Sequence, residues 1–325
     1  MSVLLEARGL VQQYTTGKSL FGRPGAVRAV DGIDLSVAEG EILGVVGESG
    51  SGKSTLGRML LGLETPFAGK VLYHGQPMPA PRTEHWRRLR AQMQLIFQDP
   101  LAALDRRMTV AAQIAEPLEI HGLARGAELA ERVEGLMGRV GLRRDQADRY
   151  PHELSGGQRQ RVVIARALAT SPRFLVCDEP VSALDVSIQA QVVNLLRDLQ
   201  EQDGLTMVFI SHDLKVVRNI CDRVAVMYLG RVVEEAPSDR IFADPRHPYT
   251  QALVSSIPRA GQGLGGRIIV HGEPPNPAAR PPGCAFHPRC RFADAGCAAQ
   301  VPRLENHGGR LAACLKLPCP ARRAA

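Results

Sequence analysis

The sequence has 325 residues, of which 44% are hydrophobic and 22% are charged, and its formal net charge is +7. A chain of this length can bury the core of one large domain beside a smaller one. No apolar run approaches the roughly 18 to 20 residues that cross a bilayer, and Glu6 interrupts the apolar start, so we expect no membrane span, no signal peptide and a cytoplasmic location.

Short apolar segments alternate with helical segments along most of the chain. Strands are predicted at residues 41–46, 94–97, 174–177, 207–210 and 223–228. This alternation predicts an α/β fold built on a mostly parallel sheet. Helical patterns instead follow one another at residues 110–121, 126–140 and 156–169. We therefore expect a helical subdomain, at about 105–170, inserted into the α/β core.

A glycine-rich loop joins the first predicted strand to a helix. Its sequence is Gly47-Glu48-Ser49-Gly50-Ser51-Gly52-Lys53-Ser54, and Thr55 follows. Glycines let the backbone wrap around a phosphate with its amide groups. Lys53 places a positive charge on the β and γ phosphates, and the Ser54 hydroxyl can ligate Mg²⁺. The loop therefore predicts a nucleoside-triphosphate site, with residues 47–55 as its phosphate-binding segment.

A second glycine-rich helix start lies about a hundred residues further on. It has the sequence Leu154-Ser155-Gly156-Gly157-Gln158. The amide groups at such a helix start bind anions. One nucleotide cannot easily contact both glycine-rich segments of the same chain. The pair of motifs therefore indicates a protein that works as a dimer.

Two acidic residues, Asp178 and Glu179, follow the predicted strand at 174–177. Ligands of open α/β sheets bind at the carboxyl edge where such strands end. Asp178 is placed to hold Mg²⁺ through the water shell of the metal, and Glu179 to accept a proton from the attacking water. Paired acids at a strand end also serve as simple helix caps, which is the alternative here.

Together these motifs resemble the ATP-binding subunits of ABC transporters over residues 3–235. The resemblance implies a P-loop ATPase core and a signature helix, starting at Ser155, that closes over the ATP held by a partner subunit. It implies that Gln98 reaches the Mg²⁺ and the attacking water and moves with a transmembrane partner. By the same resemblance His212 contacts the γ phosphate, and residues 182–185 communicate across the dimer.

Tyr14 is the best candidate to stack on the adenine, because aromatic faces bind bases with little demand for hydrogen bonds. Phe21 lies in the same loop and is a rival for this position. Simple packing of Tyr14 against the protein is the third possibility.

The composition changes after residue 256, where ten of the 23 prolines and five of the seven cysteines occur. The same 69 residues carry ten Lys and Arg against three Asp and Glu, so the excess positive charge lies there. We expect a nucleotide-binding domain at 1–256 and a small irregular C-terminal module at 257–325. The basic charge is typical of a solvated surface, or of one that meets an anionic partner.

The segment His247-Pro248-Tyr249-Thr250-Gln251-Ala252-Leu253 and the stretch 281–297 resemble the C-terminal parts of oligopeptide and dipeptide ABC importers. This resemblance implies an ATPase at the cytoplasmic face of the membrane, with two permease subunits, an extracytoplasmic solute-binding protein and no nucleic acid. Residues 97–119 look closer to the second of the two ATPases in such importers, which implies a heterodimer. Importers of nickel or other small solutes, soluble ABC proteins and exporters are the alternatives.

The C-terminal cysteines Cys284, Cys290, Cys297 and Cys314 are separated by 5, 6 and 16 residues, and Cys319 follows. In a reducing compartment such clustering indicates metal binding rather than disulfides. Four thiolates suit a [4Fe–4S] cluster or Zn²⁺, and thiols packed as small apolar groups are the third alternative. The spacing resembles that in peptide-importer ATPases with an iron–sulfur cluster. Either Cys314 or Cys319 can be the fourth ligand, whereas Cys177 and Cys221 are expected to be structural.

Overall fold

The computed structural model describes residues 2–16, 25–258 and 267–317. Its strands are β1 (Val3–Thr16), β2 (Gly25–Ala38), β3 (Ile42–Val46), β4 (Ala68–Tyr73), β5 (Gln76–Pro77), β6 (Met93–Ile96), β7 (Phe174–Asp178), β8 (Thr206–Ser211), β9 (Arg223–Tyr228), β10 (Arg231–Pro237), β11 (Glu305–Asn306) and β12 (Leu311–Ala312). Its α-helices are α1 (Lys53–Leu60), α2 (Glu84–Gln92), α3 (Pro100–Ala103), α4 (Val110–Ile120), α5 (Gly126–Arg139), α6 (Gly156–Leu168), α7 (Val186–Asp203), α8 (Leu214–Ile220), α9 (Ser238–Ala243), α10 (Pro248–Ser255) and α11 (Ala295–Ala299). Short 3-10 helices lie at Arg144–Gln146, Pro151–Glu153, Pro277–Ala279 and His287–Arg289.

The chain divides into two compact units, of which the first consists mainly of residues Tyr73–Ile210. In this unit β6, β7 and β8 are parallel, and Phe174 of β7 pairs with Met93 on one side and with Thr206 on the other. All five residues of β7 are buried, as is usual for a parallel strand covered on both faces. The α/β character predicted from the apolar segments is therefore confirmed.

Helices α4, α5 and α6 of this unit form where helical patterns were predicted. Thr109 caps α4, because its side chain accepts a hydrogen bond from the Ala112 amide. The buried residues Val110, Ile114 and Leu118 then recur every four positions and give the helix one apolar face. Helix α6 packs against both α4 and α5. Within the described ranges no helix combines the length and the apolar character that crossing a membrane requires.

The second unit contains residues Leu5–Ser36, Leu43–Leu72 and the chain from Ser211 onwards. Its strand β9 pairs in parallel with β3 and antiparallel with β10. Strand β12, from the C-terminal region, adds to β10 in antiparallel register, with Glu234 opposite Ala312. The parallel arrangement expected from the sequence thus ends at β9. The C-terminal region of the chain continues the sheet that carries the glycine-rich loop.

Two long strands, β1 and β2, were not predicted. Each has 14 residues, and within the second unit the neighbours lie in the order β2-β1-β4. Buried Leu5, Ala7 and Leu10 lie among half-exposed and exposed residues of β1, so the segment shows no continuous apolar run. Antiparallel strands with one solvated face have this mixed pattern, which is weaker than that of a fully buried strand.

Three arginines of the C-terminal region form ion pairs within the chain and are not the solvated charges that were expected, whereas Arg291 and Arg303 are exposed. Arg280 forms an ion pair with Asp31, Arg289 with Glu48 and Arg310 with Asp244. The three arginine side chains are only 20%, 8% and 11% exposed, respectively. These arginines therefore attach the C-terminal region to the rest of its own unit.

Candidate functional site

The glycine-rich loop leaves β3 and enters α1, the context that a phosphate-binding loop requires. Gly52 precedes the helix with φ at 98°, in the left-handed region. A Cβ atom on Gly52 would lie 2.0 Å from the Ala29 carbonyl oxygen, and one on Gly47 would lie 2.2 Å from the Met227 carbonyl oxygen. The backbone passes too close to its neighbours for any side chain at these two positions.

Lys53 is 5% exposed, and its ammonium group is directed back at the loop. Its Nζ donates hydrogen bonds to the carbonyl oxygens of Gly47, at 2.9 Å, and of Glu48, at 3.0 Å. No side chain caps the start of α1, because Gly52 occupies the N-cap position. A buried cation and an uncapped helix start next to glycine-rich backbone suit the binding of an anion. Ser54 and Thr55 follow in the first turn of the same helix.

The carboxyl end of β7 brings two of the predicted residues together in the first unit. The Nε2 atom of Gln98 donates a hydrogen bond to Oε2 of Glu179 at 3.0 Å. Glu179 has φ at 48°, an unusual value for a residue with a side chain, and its amide donates to the Ile210 carbonyl at 3.0 Å. Asp178 beside it is 8% exposed. Local backbone strain of this kind is concentrated at functional sites.

The second glycine-rich segment forms a capping box at the start of α6. The Ser155 hydroxyl accepts from the Gln158 amide at 3.3 Å, and Gln158 Oε1 accepts from the Ser155 amide at 2.9 Å. Ser155 and Gly156 are exposed. A Cβ atom on Gly157 would lie 2.6 Å from Ile188 of α7, so the helix start packs closely on α7. The segment is therefore rigid and accessible from outside.

The remaining predicted residues lie at the ends of strands and helices. Ser182 donates a hydrogen bond to the Glu179 carbonyl at 3.1 Å, which ties residues 182–185 to the strand end. His212 is exposed and directly precedes Asp213, the N-cap of α8, in the second unit. Tyr14 is 41% exposed, and its hydroxyl donates to the Glu64 carboxylate. Phe21 lies outside the described residues.

The C-terminal part of the chain makes contacts with the phosphate-binding loop that were not predicted from the sequence. The amide of Glu48 donates a hydrogen bond to the Tyr249 hydroxyl at 2.9 Å, and Arg289 Nη1 lies 3.0 Å from the Glu48 carboxylate. Tyr249 belongs to the segment 247–253, which was used only to identify the importer type. No local sequence pattern reveals these contacts, because they join residues 201 and 241 positions apart.

The four C-terminal cysteines Cys284, Cys290, Cys297 and Cys314 are free thiols, and Cys319 lies outside the described residues. The Cys284 amide donates to the Cys297 carbonyl at 2.8 Å. Burial raises the pKa of the Cys284 and Cys290 thiols, and the other three cysteines raise the pKa of Cys290 further. The four thiols are thus near enough to interact electrostatically. Among the described residues, however, no group of three or more His, Cys, Asp or Glu side chains could hold a metal ion.

The other two cysteines lie where structural residues are expected. Cys177 is fully buried in β7, and burial raises the pKa of its thiol far above the usual range. Cys221 is 6% exposed and packs against Gly44 of β3, where an added Cβ atom would lie 2.9 Å from its Sγ.

The sequence matches the family model described as "ABC transporter" over residues 30–182 and the one described as "Oligopeptide/dipeptide transporter, C-terminal region" over residues 233–297. It is 50% identical over 315 residues to a putative peptide import ATP-binding protein of Brucella ovis, a match that covers 96% of this chain and 98% of the relative. It is 48% identical over 308 residues to the oligopeptide transport ATP-binding protein AppF of Bacillus subtilis, covering 93% and 94%.

Two solved structures resemble the fold. The dimeric post-hydrolysis state of the ATP-binding cassette MJ0796 bound to ADP and Pi has a TM-score of 0.65 and 29% identity, over 72% of this chain and 99% of that one. The structure of cbiO1 from Clostridium perfringens, part of the transporter complex cbiONQ, has a TM-score of 0.64 and 28% identity, over 75% and 92%.

Proposed function

Since the chain belongs to the ATP-binding subunits of ABC transporters, in the peptide-importing branch, we propose that it binds and hydrolyses ATP to drive the import of peptides. The hydrogen bond between Gln98 and Glu179 at the end of β7 is the observation that supports ATP hydrolysis at this site, because a carboxylate held in place can accept the proton of an attacking water. The match of residues 233–297 to the oligopeptide and dipeptide transporter region supports peptides as the solute.

The proposed mechanism divides the chemistry among the motifs. The amides of residues 47–55, except that of Glu48, which donates to the Tyr249 hydroxyl, and the ammonium group of Lys53 are proposed to bind the phosphates. Ser54, Asp178 and Gln98 are proposed to hold Mg²⁺, which would neutralise charge on the β and γ phosphates when bound. Glu179 accepts the proton of the attacking water, and His212 contacts the γ phosphate. Tyr14 stacks on the adenine, although its hydroxyl already has a partner in Glu64.

The ATP site is proposed to be completed by a second ATPase subunit. Ser155, Gly156, Gly157 and Gln158 form an accessible helix start in the same unit as Glu179, so they are available to the nucleotide of a neighbouring chain. We propose that the neighbour is a different ATPase, which gives a heterodimer with two composite sites.

A groove in the first unit is proposed to receive the permease. It has a volume of about 650 Å³ and is lined by residues 102–108 with Gln113, Glu116 and Arg166. The groove begins four residues after Gln98, so a partner seated there could move the residue that contacts Glu179. We accordingly propose that the protein lies at the cytoplasmic face of the membrane under two permease subunits, with an extracytoplasmic binding protein supplying the solute.

Uptake into vesicles tests the proposed function. We expect vesicles that contain the two ATPases and two permeases to accumulate labelled oligopeptide when ATP is inside and the binding protein is outside. Nickel and peptide are supplied separately, because importers of nickel are the alternative. Accumulation of nickel without peptide would assign the protein to a small-solute importer, and accumulation of neither would contradict an import role.

We also propose that residues 257–325 form a module around a [4Fe–4S] cluster held by Cys284, Cys290, Cys297 and Cys314. The proposal is supported by the effect of Cys284, Cys297 and Cys314 on Cys290, because thiols that raise the pKa of another thiol lie near it. Each of the four cysteines would contribute one thiolate to the cluster. The cluster would contribute folding energy to a proline-rich region with little apolar sequence.

The iron content tests the cluster. We expect anaerobically purified protein to be brown, with broad absorption at about 400 nm and about four irons per chain, as four-thiolate ligation implies. Replacing Cys290 with Ser is expected to lower the iron content and to make the tail sensitive to protease, whereas Cys221→Ser should change neither. Colourless protein with one zinc per chain would support zinc, and a metal-free chain with a protease-resistant tail would exclude both metals.

A further inference from the structure

The second residue of the phosphate-binding loop, Glu48, is held at each of its polar groups. Its amide donates to the Tyr249 hydroxyl at 2.9 Å, and its carbonyl accepts from Lys53 Nζ at 3.0 Å. Its carboxylate accepts two hydrogen bonds from Arg289 Nη1, at 3.0 and 3.2 Å. Two of these three partners come from beyond residue 247, from α10 and from the 3-10 helix His287–Arg289.

Neighbouring residues of the second unit hold the Arg289 side chain in place. Its side chain is 8% exposed, and the same Nη1 atom also approaches the Tyr228 hydroxyl at 3.3 Å. Phe286, in the same turn of chain, packs edge-on against Tyr228 with ring centroids 5.2 Å apart, and against Tyr249 at 5.4 Å. The guanidinium therefore reaches Glu48 from a packed aromatic cluster rather than from solvent.

The Tyr249 side chain is also held in place. It is 1% exposed, and it lies in the first turn of α10, whose N-cap is His247. The fully buried carboxylate of Glu234 in β10 accepts the amide of His247 at 2.8 Å and the amide of Arg246 at 2.7 Å. A buried carboxylate with two amide donors anchors the start of α10 to the sheet. The hydroxyl that receives the Glu48 amide consequently has a fixed position.

Charge explains why this arrangement matters for ATP. Glu48 places a carboxylate in the segment that is proposed to surround the triphosphate. The negative charges of the carboxylate and of the phosphates would repel each other, and the repulsion is stronger in a site that excludes water than in bulk solvent. Arg289 supplies the opposite charge, and the hydroxyl of Tyr249 fixes the backbone of Glu48 by accepting the hydrogen bond of its amide. With its charge paired, the Glu48 carboxylate no longer repels the phosphates of ATP.

We propose that Arg289 and Tyr249 are positioning residues for ATP binding. Tyr249 of α10 holds the Glu48 amide, and Arg289 of the C-terminal module cancels the charge of the Glu48 carboxylate, so the affinity of the loop for ATP depends in part on a contact made 241 residues further along the chain. This inference rests on the proposed binding of ATP by residues 47–55.

Binding of Mg·ATP by the isolated full-length chain tests it. We expect Arg289→Met to raise the Kd about tenfold, a usual size of coupling between two sites. Tyr249→Phe, which deletes only the hydroxyl, should also raise the Kd for Mg·ATP. The matched control is Arg291→Met, because Arg291 is an exposed arginine of the same module that contacts Gln251 and Phe292 instead. Its Kd should stay within about twofold of wild type, as for most surface changes.

A second substitution separates positioning from mere folding. In Arg289→Met the carboxylate of Glu48 remains without its cation, so adding Glu48→Gln should recover most of the lost affinity. In the assembled importer Arg289→Met should raise the KM for ATP while kcat changes less. An unchanged Kd in Arg289→Met would overturn the inference. It would also be overturned if the losses of ATP affinity in Arg289→Met and in Glu48→Gln simply added up in the double variant. Wild-type protein that fails to bind Mg·ATP would instead contradict the proposed function.

Discussion

Replacing Glu179 with Gln is expected to slow ATP hydrolysis by about 10²- to 10⁴-fold while ATP binding is kept, the usual effect of removing a general base. The carboxamide has the shape of the carboxylate, and its oxygen can still accept the hydrogen bond from Gln98. It cannot take a proton from water. Phosphate release and nucleotide affinity are both measured on the assembled complex, so the chemical step is separated from binding.

Lys53→Ala is the matched comparison, because it removes the buried cation of the loop rather than the base. This variant should lose affinity for ATP, whereas Glu179→Gln should keep its affinity and lose hydrolysis. Near-normal turnover by the Glu179→Gln complex would show that Glu179 is not the base.

Ser155→Arg is expected to lower hydrolysis by the assembled complex at least about 10²-fold, comparable to removing a positioned transition-state donor. Ser155 is exposed at the start of α6, where a long cation would occupy the space that the nucleotide of the partner needs. The affinity of the isolated chain for ATP should not fall, because loss of an N-cap costs only about 1 kcal/mol.

Ala127→Arg provides the control, since it adds the same side chain at an exposed position in the first turn of α5. It should leave hydrolysis by the complex unchanged. The isolated wild-type chain should be slow and should accelerate when the partner ATPase and the permeases are added. Fast hydrolysis by the isolated chain, independent of its concentration, would contradict a composite site.

The buried strands could be predicted from the sequence because burial on both faces requires continuous apolar residues. Strand β9 has the predicted bounds, residues 223–228. Strands β3 and β7 differ from their predictions by one residue at one end, and β6 and β8 by one residue at each end. Strands β1 and β2 alternate between buried and exposed residues and were missed. Strand β12 has two residues, too few to show any periodicity, and forms through pairing with β10.

The glycine-rich loop could be placed between a strand and a helix from the sequence, because it is a short contiguous run that directly follows an apolar segment. Contacts between distant segments could not be predicted. Arg289 lies in a proline-rich, basic region, where an isolated arginine resembles an ordinary solvated charge. Only the folded chain brings it to Glu48, by way of the aromatic cluster around Phe286.

Hydrolysis of ATP by this chain to move peptides is tested most directly by recording ATP hydrolysis and peptide uptake in the same vesicles. Phosphate release and accumulation of labelled oligopeptide are followed together in the reconstituted importer, with wild-type protein and with Glu179→Gln. We predict that both proceed in the wild type and that both are lost in the variant. Peptide accumulation that continues in Glu179→Gln, or hydrolysis in the wild type that moves no peptide, would contradict the account.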